Sequence, residues 1–94
     1  MTDIVTDEPQ ESRYVLRRDG RQIGQSVYER EPGVIRFLHT EIDPELKEHG
    51  LGSMLVKASL DDVRAGSDDR VIAQCPFVRA YIARHPEYQD LLER

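Results

Sequence analysis

The stretch Val34–Asp43 constrains the fold more than any other part of the chain. It alternates Val34, Arg36, Leu38, Thr40 and Ile42 against Ile35, Phe37, His39 and Glu41, with apolar residues in both sets. A strand with that pattern is expected to be covered on both faces. On strict alternation His39 shares its face with Phe37 and Glu41. Pro44 has no N–H to give a ladder, so the strand ends there.

Strong turn signals precede it. Asp19-Gly20 is a hairpin turn between two short strands, Arg13–Arg18 and Gln22–Arg30, and Glu31-Pro32-Gly33 makes a second turn. Residues Met1–Ser12 are polar and acidic with Pro9 among them, and are expected to form a flexible leader to a single domain over 13–94. After the strand, Gly50–Ala65 carries one helical stripe of Leu51, Met54, Leu55 and Ala58 and a second of Val56, Leu60 and Val63. Such a helix packs on two sides. Gly66 is the expected C-cap, Val71–Ala73 a short buried strand, and Cys75-Pro76 the start of a second helix, which Pro86 closes. The tail Glu87–Arg94 is expected as short helix or coil. This order of antiparallel-type strands, helix, strand, helix predicts an α+β fold.

Bulk properties exclude several roles. The 94 residues carry a net charge of −5, which is wrong for a nucleic-acid surface. No apolar run approaches the ~20 residues of a membrane span. The single cysteine cannot form an internal disulfide, which points to a reducing, cytoplasmic setting. None of the three histidines shares metal-ligand spacing with Cys75, so no metal is expected.

The chemistry is concentrated in Lys47-Glu48-His49-Gly50-Leu51-Gly52-Ser53, between a strand end and a helix start. Glycines there let the backbone approach a ligand and turn its N–H groups outward. With the helix N-terminus they make an anion site, and His49–Leu60 contains no acid to occupy it. The spacing excludes a Walker loop, which needs Gly-Lys-Ser or Gly-Lys-Thr, and a dinucleotide fingerprint, which needs glycine where Leu55 stands. A plain helix start with glycines for turn geometry would read the same.

Val34–Ala65 resembles the cofactor-binding core of the GCN5-related N-acetyltransferases. In that family a strand ending hydrophobic-Asp-Pro-Glu is followed by Arg/Gln-x-x-Gly-x-Gly/Ala and a long helix. The counterparts are Ile42-Asp43-Pro44-Glu45 and Lys47-x-x-Gly50-x-Gly52. A very short subgroup is similar over roughly Tyr14–Leu92, through His39-Thr40-Glu41, Cys75-Pro76-Phe77-Val78 and His85-Pro86-Glu87-Tyr88. Lys47 replaces the usual Arg or Gln but keeps a donor. The first helices of larger members are missing, which implies an open or partner-completed acceptor site.

The resemblance implies a minimal acyl-CoA N-acyltransferase fold, a mainly antiparallel sheet with two packed helices. It implies transfer of the acetyl group of acetyl-CoA to a primary amine. Thr40, Ile42 and Lys47–Ser53, including Glu48, His49, Gly50, Leu51 and Gly52, would hold the cofactor, with backbone amides of the splayed strand facing the thioester. Tyr81 occupies the family's acid position, or is a packing tyrosine. Cys75 at a helix N-terminus is a candidate nucleophile or a buried apolar cysteine. His39 is a candidate base or a core histidine, and Glu41 orients it only weakly because i and i+2 side chains diverge. His49 is expected as a solvated side chain near phosphate, and His85 as a helix-end residue. The protein is expected to be a monomer or weak homodimer. The alternative is a non-catalytic CoA-binding or protein-interaction module of the same fold.

Overall fold

The computed structural model describes residues 2–94. Five strands form one sheet in chain order: β1 Asp3–Glu8, β2 Arg13–Arg18, β3 Arg21–Glu31, β4 Val34–Ile42 and β5 Arg70–Ala73. The first four run antiparallel, and β4 and β5 are parallel. Helix α1 (Leu51–Gly66) joins β4 to β5, and α2 (Pro76–Arg84) follows β5. Short 3-10 helices cover Pro9–Glu11 and Pro86–Leu92. The fold is α+β, as expected.

Three expectations are corrected. Of the proposed leader, Met1 lies outside the described residues, but Asp3–Glu8 pair along the whole of β2. The segment lacks an apolar stripe because ion pairs and pairing hold it: Asp3 to Arg18, and Glu8 to both Arg13 and Arg17. The second correction concerns α1, which buries Leu51, Leu55, Val56, Ser59, Leu60 and Val63 and exposes Met54. It therefore has one buried face, and the two stripes read from the sequence merge. Gly66 is the last helical residue and extended Ser67 is the cap.

The third correction concerns β4. Val27 pairs with His39, but Tyr28 pairs with Phe37, so Leu38 is an extra residue on β4. This bulge shifts the alternation by one. Ile35 and Phe37 before it, and Ile42 after it, all pack with the core. His39 and Glu41 are turned to the opposite face, where both side chains are exposed. Apolar residues from both alternating sets thus reach one face. Both helices contribute to the single core cluster on that face. Among the described residues neither α-helix packs on the other face, contrary to the expected double cover.

On the helix face Tyr14, Tyr28 and Phe37 form an aromatic cluster with ring centroids 5.5–6.3 Å apart. The two hydroxyls leave the core through charged partners: Tyr14 donates to Asp62 at 2.7 Å and Tyr28 to Asp7 at 2.6 Å. Burial and these carboxylates push both phenols well above their ordinary range. Tyr88 makes the same kind of bond to Asp61 at 2.7 Å, docking the C-terminal 3-10 helix on α1.

Candidate active site

Gly50 is the N-cap of α1 with φ of 90°, a left-handed conformation in which a Cβ is strained. The first helical bond runs from the Met54 N–H to the Gly50 carbonyl at 2.9 Å. The amides of Leu51, Gly52 and Ser53 precede it and have no acceptor within the helix. No side chain caps this end, and its first turn holds no acid. These groups border a cleft of about 370 Å³ that also takes in Ile42, Glu48 and His49. Phe77, 45% exposed at the start of α2, forms its other wall. A Cβ on Gly52 would lie 2.7 Å from the Phe77 ring tip, so only glycine leaves the ring where it is.

Two carboxylates reach this cleft, and each has an arginine partner. Asp43 accepts from Arg21 at 3.3 Å and from the Glu45 amide at 3.0 Å. Glu48 accepts from both terminal nitrogens of Arg18, one of them at 3.2 Å. The Arg18 guanidinium holds the Glu48 carboxyl below its ordinary value. Lys47 is exposed and does not line the cleft.

At the other end of the bulge the sheet opens. β5 pairs with β4 only from Val34↔Arg70 to Phe37↔Ala73. The Cys75 amide then bonds the Phe37 carbonyl at 2.9 Å, and Leu38–Ile42 have no strand on that side. Cys75 is the N-cap of α2 and is 3% exposed. Its Sγ lies 3.7 Å from Thr40 Oγ1, which in turn lies 3.4 Å from buried Ser26 Oγ. Tyr81, one face of its ring stacked on His85 with centroids 3.9 Å apart, lines a smaller groove with Ser53 and Phe77. That groove therefore adjoins the glycine-loop cleft through two shared residues. Burial raises the Tyr81 phenol above its ordinary value, so it stays protonated through the neutral range.

This glycine-loop geometry agrees with a comparison of the whole chain. The family described as GCN5-related N-acetyl-transferase matches residues 13–91. The chain belongs to this family. No curated protein matches the chain. The family's chemistry is acetyl transfer, generally from acetyl-CoA. The cleft offers outward amides at an acid-free helix start and a backbone close to an aromatic wall.

The helix-free face of this acetyltransferase-family sheet carries a second constellation. His39 Nε2 lies 3.0 Å from Glu41 Oε1. Gln25 donates to Glu41 at 3.0 Å, Arg13 to Gln25 at 2.9 Å and to Glu8 at 3.0 Å, and Arg17 to Glu8 at 2.7 Å. Hydrogen bonds thus join four strands from Glu8 to Glu41, and the His39–Glu41 contact extends this chain. Gln25, and less strongly His39, hold the Glu41 carboxyl below its ordinary value. Val15, between Arg13 and Arg17 on β2, is fully buried, and the two flanking arginines both bond Glu8. The expectation that Glu41 and His39 diverge is corrected: the side chains meet.

Ile42 and Glu48–Ser53 therefore share one cleft, Tyr81 borders the groove that adjoins it, and Thr40 and Cys75 meet at the strand opening. His39 stands on the opposite face of β4. His85 sits at the C-cap of α2, its Nδ1 2.7 Å from the Tyr81 carbonyl, as expected of a helix-end residue. No group of His, Cys, Asp and Glu among the described residues forms a metal cluster. No described helix is long and apolar enough to cross a membrane. Reading the residues one motif at a time missed Phe77 as a cleft wall and the Arg18 and Gln25 partners. The Phe77 signal was present, since it sits inside Cys75–Val78.

Proposed function

We propose that this protein is an acetyl-CoA-dependent N-acetyltransferase that acetylates a primary amine approaching over the helix-free face of the sheet. The observation that carries this reading is the parting of β4 from β5 at Phe37 and Ala73, with the glycine-loop cleft at the β4 end and Cys75 at the split. Acetyl-CoA, when bound, supplies an acetyl thioester whose carbonyl carbon takes the amine nitrogen as its thiol departs. The amides of Leu51, Gly52 and Ser53 hold its pyrophosphate. Unpaired backbone N–H groups of the β4 edge face the carbonyl oxygen. His39, with Nε2 engaged by Glu41, keeps Nδ1 for the proton that the substrate ammonium loses before its free amine attacks. Tyr81 gives a proton to the departing sulfur. The short subgroup with Cys75-Pro76-Phe77-Val78 is the branch of the family this reading favours, and a cytoplasmic setting suits it.

Saturating CoA is expected to raise the melting temperature and to shift the amide signals of Gly50–Ser53. A protein unmoved by CoA on both counts is not an acetyltransferase of this kind. A covalent route through acetyl-Cys75 is the second reading, since the sulfur stands at the start of α2, 3.7 Å from Thr40 Oγ1. Burial of the sulfur favours direct attack. Cys75→Ala should therefore retain turnover within a few fold, and loss of all turnover together with trapped acetyl on the wild-type cysteine would establish the covalent route.

A further inference from the structure

A cleft for a pyrophosphate is expected to show cations, yet the charged side chains lining this one are Asp43 and Glu48. Glu48 is the more awkward, two residues before the Gly50 cap. Its carboxylate is neutralised by Arg18, the last residue of β2, whose side chain is only 14% exposed. The guanidinium is shared. Its Nε and Nη2 hold Asp3 at 2.8 and 3.0 Å, while Nη1 and Nη2 hold Glu48. Two edges of one planar fork thus carry two carboxylates. Asp3 belongs to the paired strand β1, whereas Glu48 stands in irregular backbone between β4 and α1 and is 46% exposed. The Glu48 edge is the one that can be exchanged.

We propose that Arg18 is a phosphate-binding arm for the pyrophosphate of CoA, for which the Glu48 carboxylate is a placeholder. This rests on the acetyltransferase reading above. The fork that fits a carboxylate fits a phosphate oxygen pair equally well. With ligand present, Arg18 keeps Asp3 on one edge and takes the phosphate on the other. Glu48 turns to solvent, which its position in the loop permits. In the empty protein the same contact prevents an unpaired acid from repelling the ligand at the cleft.

Calorimetric titration with CoA, dephospho-CoA and pantetheine tests this on wild type, Arg18→Gln, Glu48→Gln and the double variant. Arg18→Gln should weaken CoA and dephospho-CoA alike by tenfold or more and leave pantetheine, which has no pyrophosphate, unchanged. Glu48→Gln should bind CoA at least as tightly as wild type. The double variant should remain several-fold weaker than wild type. If Arg18 serves only to neutralise Glu48, the double variant returns to wild-type affinity and the proposal falls. A penalty that extends to pantetheine marks a structural role and overturns it too. Wild-type protein that binds no CoA sinks the acetyltransferase reading itself, whereas wild-type binding with an indifferent Arg18→Gln sinks this proposal alone.

Discussion

His39→Ala is expected to lower turnover of a simple primary amine such as butylamine by about 10²-fold or more, the usual range for loss of a positioned proton acceptor. CoA affinity should stay within twofold of wild type. The separation follows from geometry: the imidazole stands on the helix-free face, and the glycine-loop cleft is built from β4's end, α1 and Phe77. A histidine in the core would have predicted the reverse, lost stability and unchanged chemistry. Here the ring is 53% exposed, so truncation leaves no cavity. Glu41→Ala frees the ring without removing it and should lower kcat several-fold with KM for acetyl-CoA unchanged. Gln25→Ala should act the same way more weakly, because Gln25 touches Glu41 and not the imidazole. Thiol release from acetyl-CoA, followed as kcat and KM separately, checks all three. Equal loss in both parameters, or none in kcat, removes His39 from the site.

The bulge at Leu38 explains why the face and the exposure of His39 were not legible in the sequence. Strict alternation puts His39 with Phe37, and a buried partner makes a core histidine the natural reading. One inserted residue moves Phe37 and His39 to opposite faces, and no residue type in the strand marks the insertion. The same shift brings Thr40 round to Cys75, 35 positions along the chain. Long-range pairings of this kind depend on register, which local pattern does not encode. Strand β1 was hidden for a related reason. Asp3, Asp7 and Glu8 look like solvated acids until Arg18, Tyr28, Arg13 and Arg17 are placed opposite them.

What was legible depended on local geometry. Gly50 caps α1 and has positive φ, the conformation for which glycine is suited. Pro76 starts α2 and Pro86 lies just past its end, as proline's fixed φ and missing N–H dictate. Cys75 was placed at the α2 start by its proline neighbour alone. Tyr81 could be assigned to α2 but its groove could not, because Ser53 belongs to α1 and Phe77 to the first turn of α2. Composition gave no sign that one sheet face would lack a helix.

Ser53→Glu should change stability and ligand affinity in opposite directions. Ser53 is exposed, lies in the first turn of α1, and lines both the cleft and the adjoining groove. An acid there meets the positive end of the helix and should stabilise the empty protein by about 0.3–1 kcal/mol. On the proposed reading, bound CoA places phosphate charge against the same amides. Two unit charges about 4 Å apart repel by about 1 kcal/mol in bulk water and about 4 kcal/mol near a protein surface. Affinity for CoA should therefore fall at least tenfold, equivalent to about 1.4 kcal/mol. Ser53→Gln, similar in size but neutral, should leave both quantities close to wild type and so separates charge from bulk. Melting temperature without ligand and calorimetric affinity with it supply the two readings. A Ser53→Glu protein that is more stable and still binds CoA at wild-type strength would place the phosphates away from the α1 start. Loss of stability without ligand would instead mean that the first turn already has an acceptor there. Natural helices favour an acid at this position, and an anion that visits the site would account for its absence.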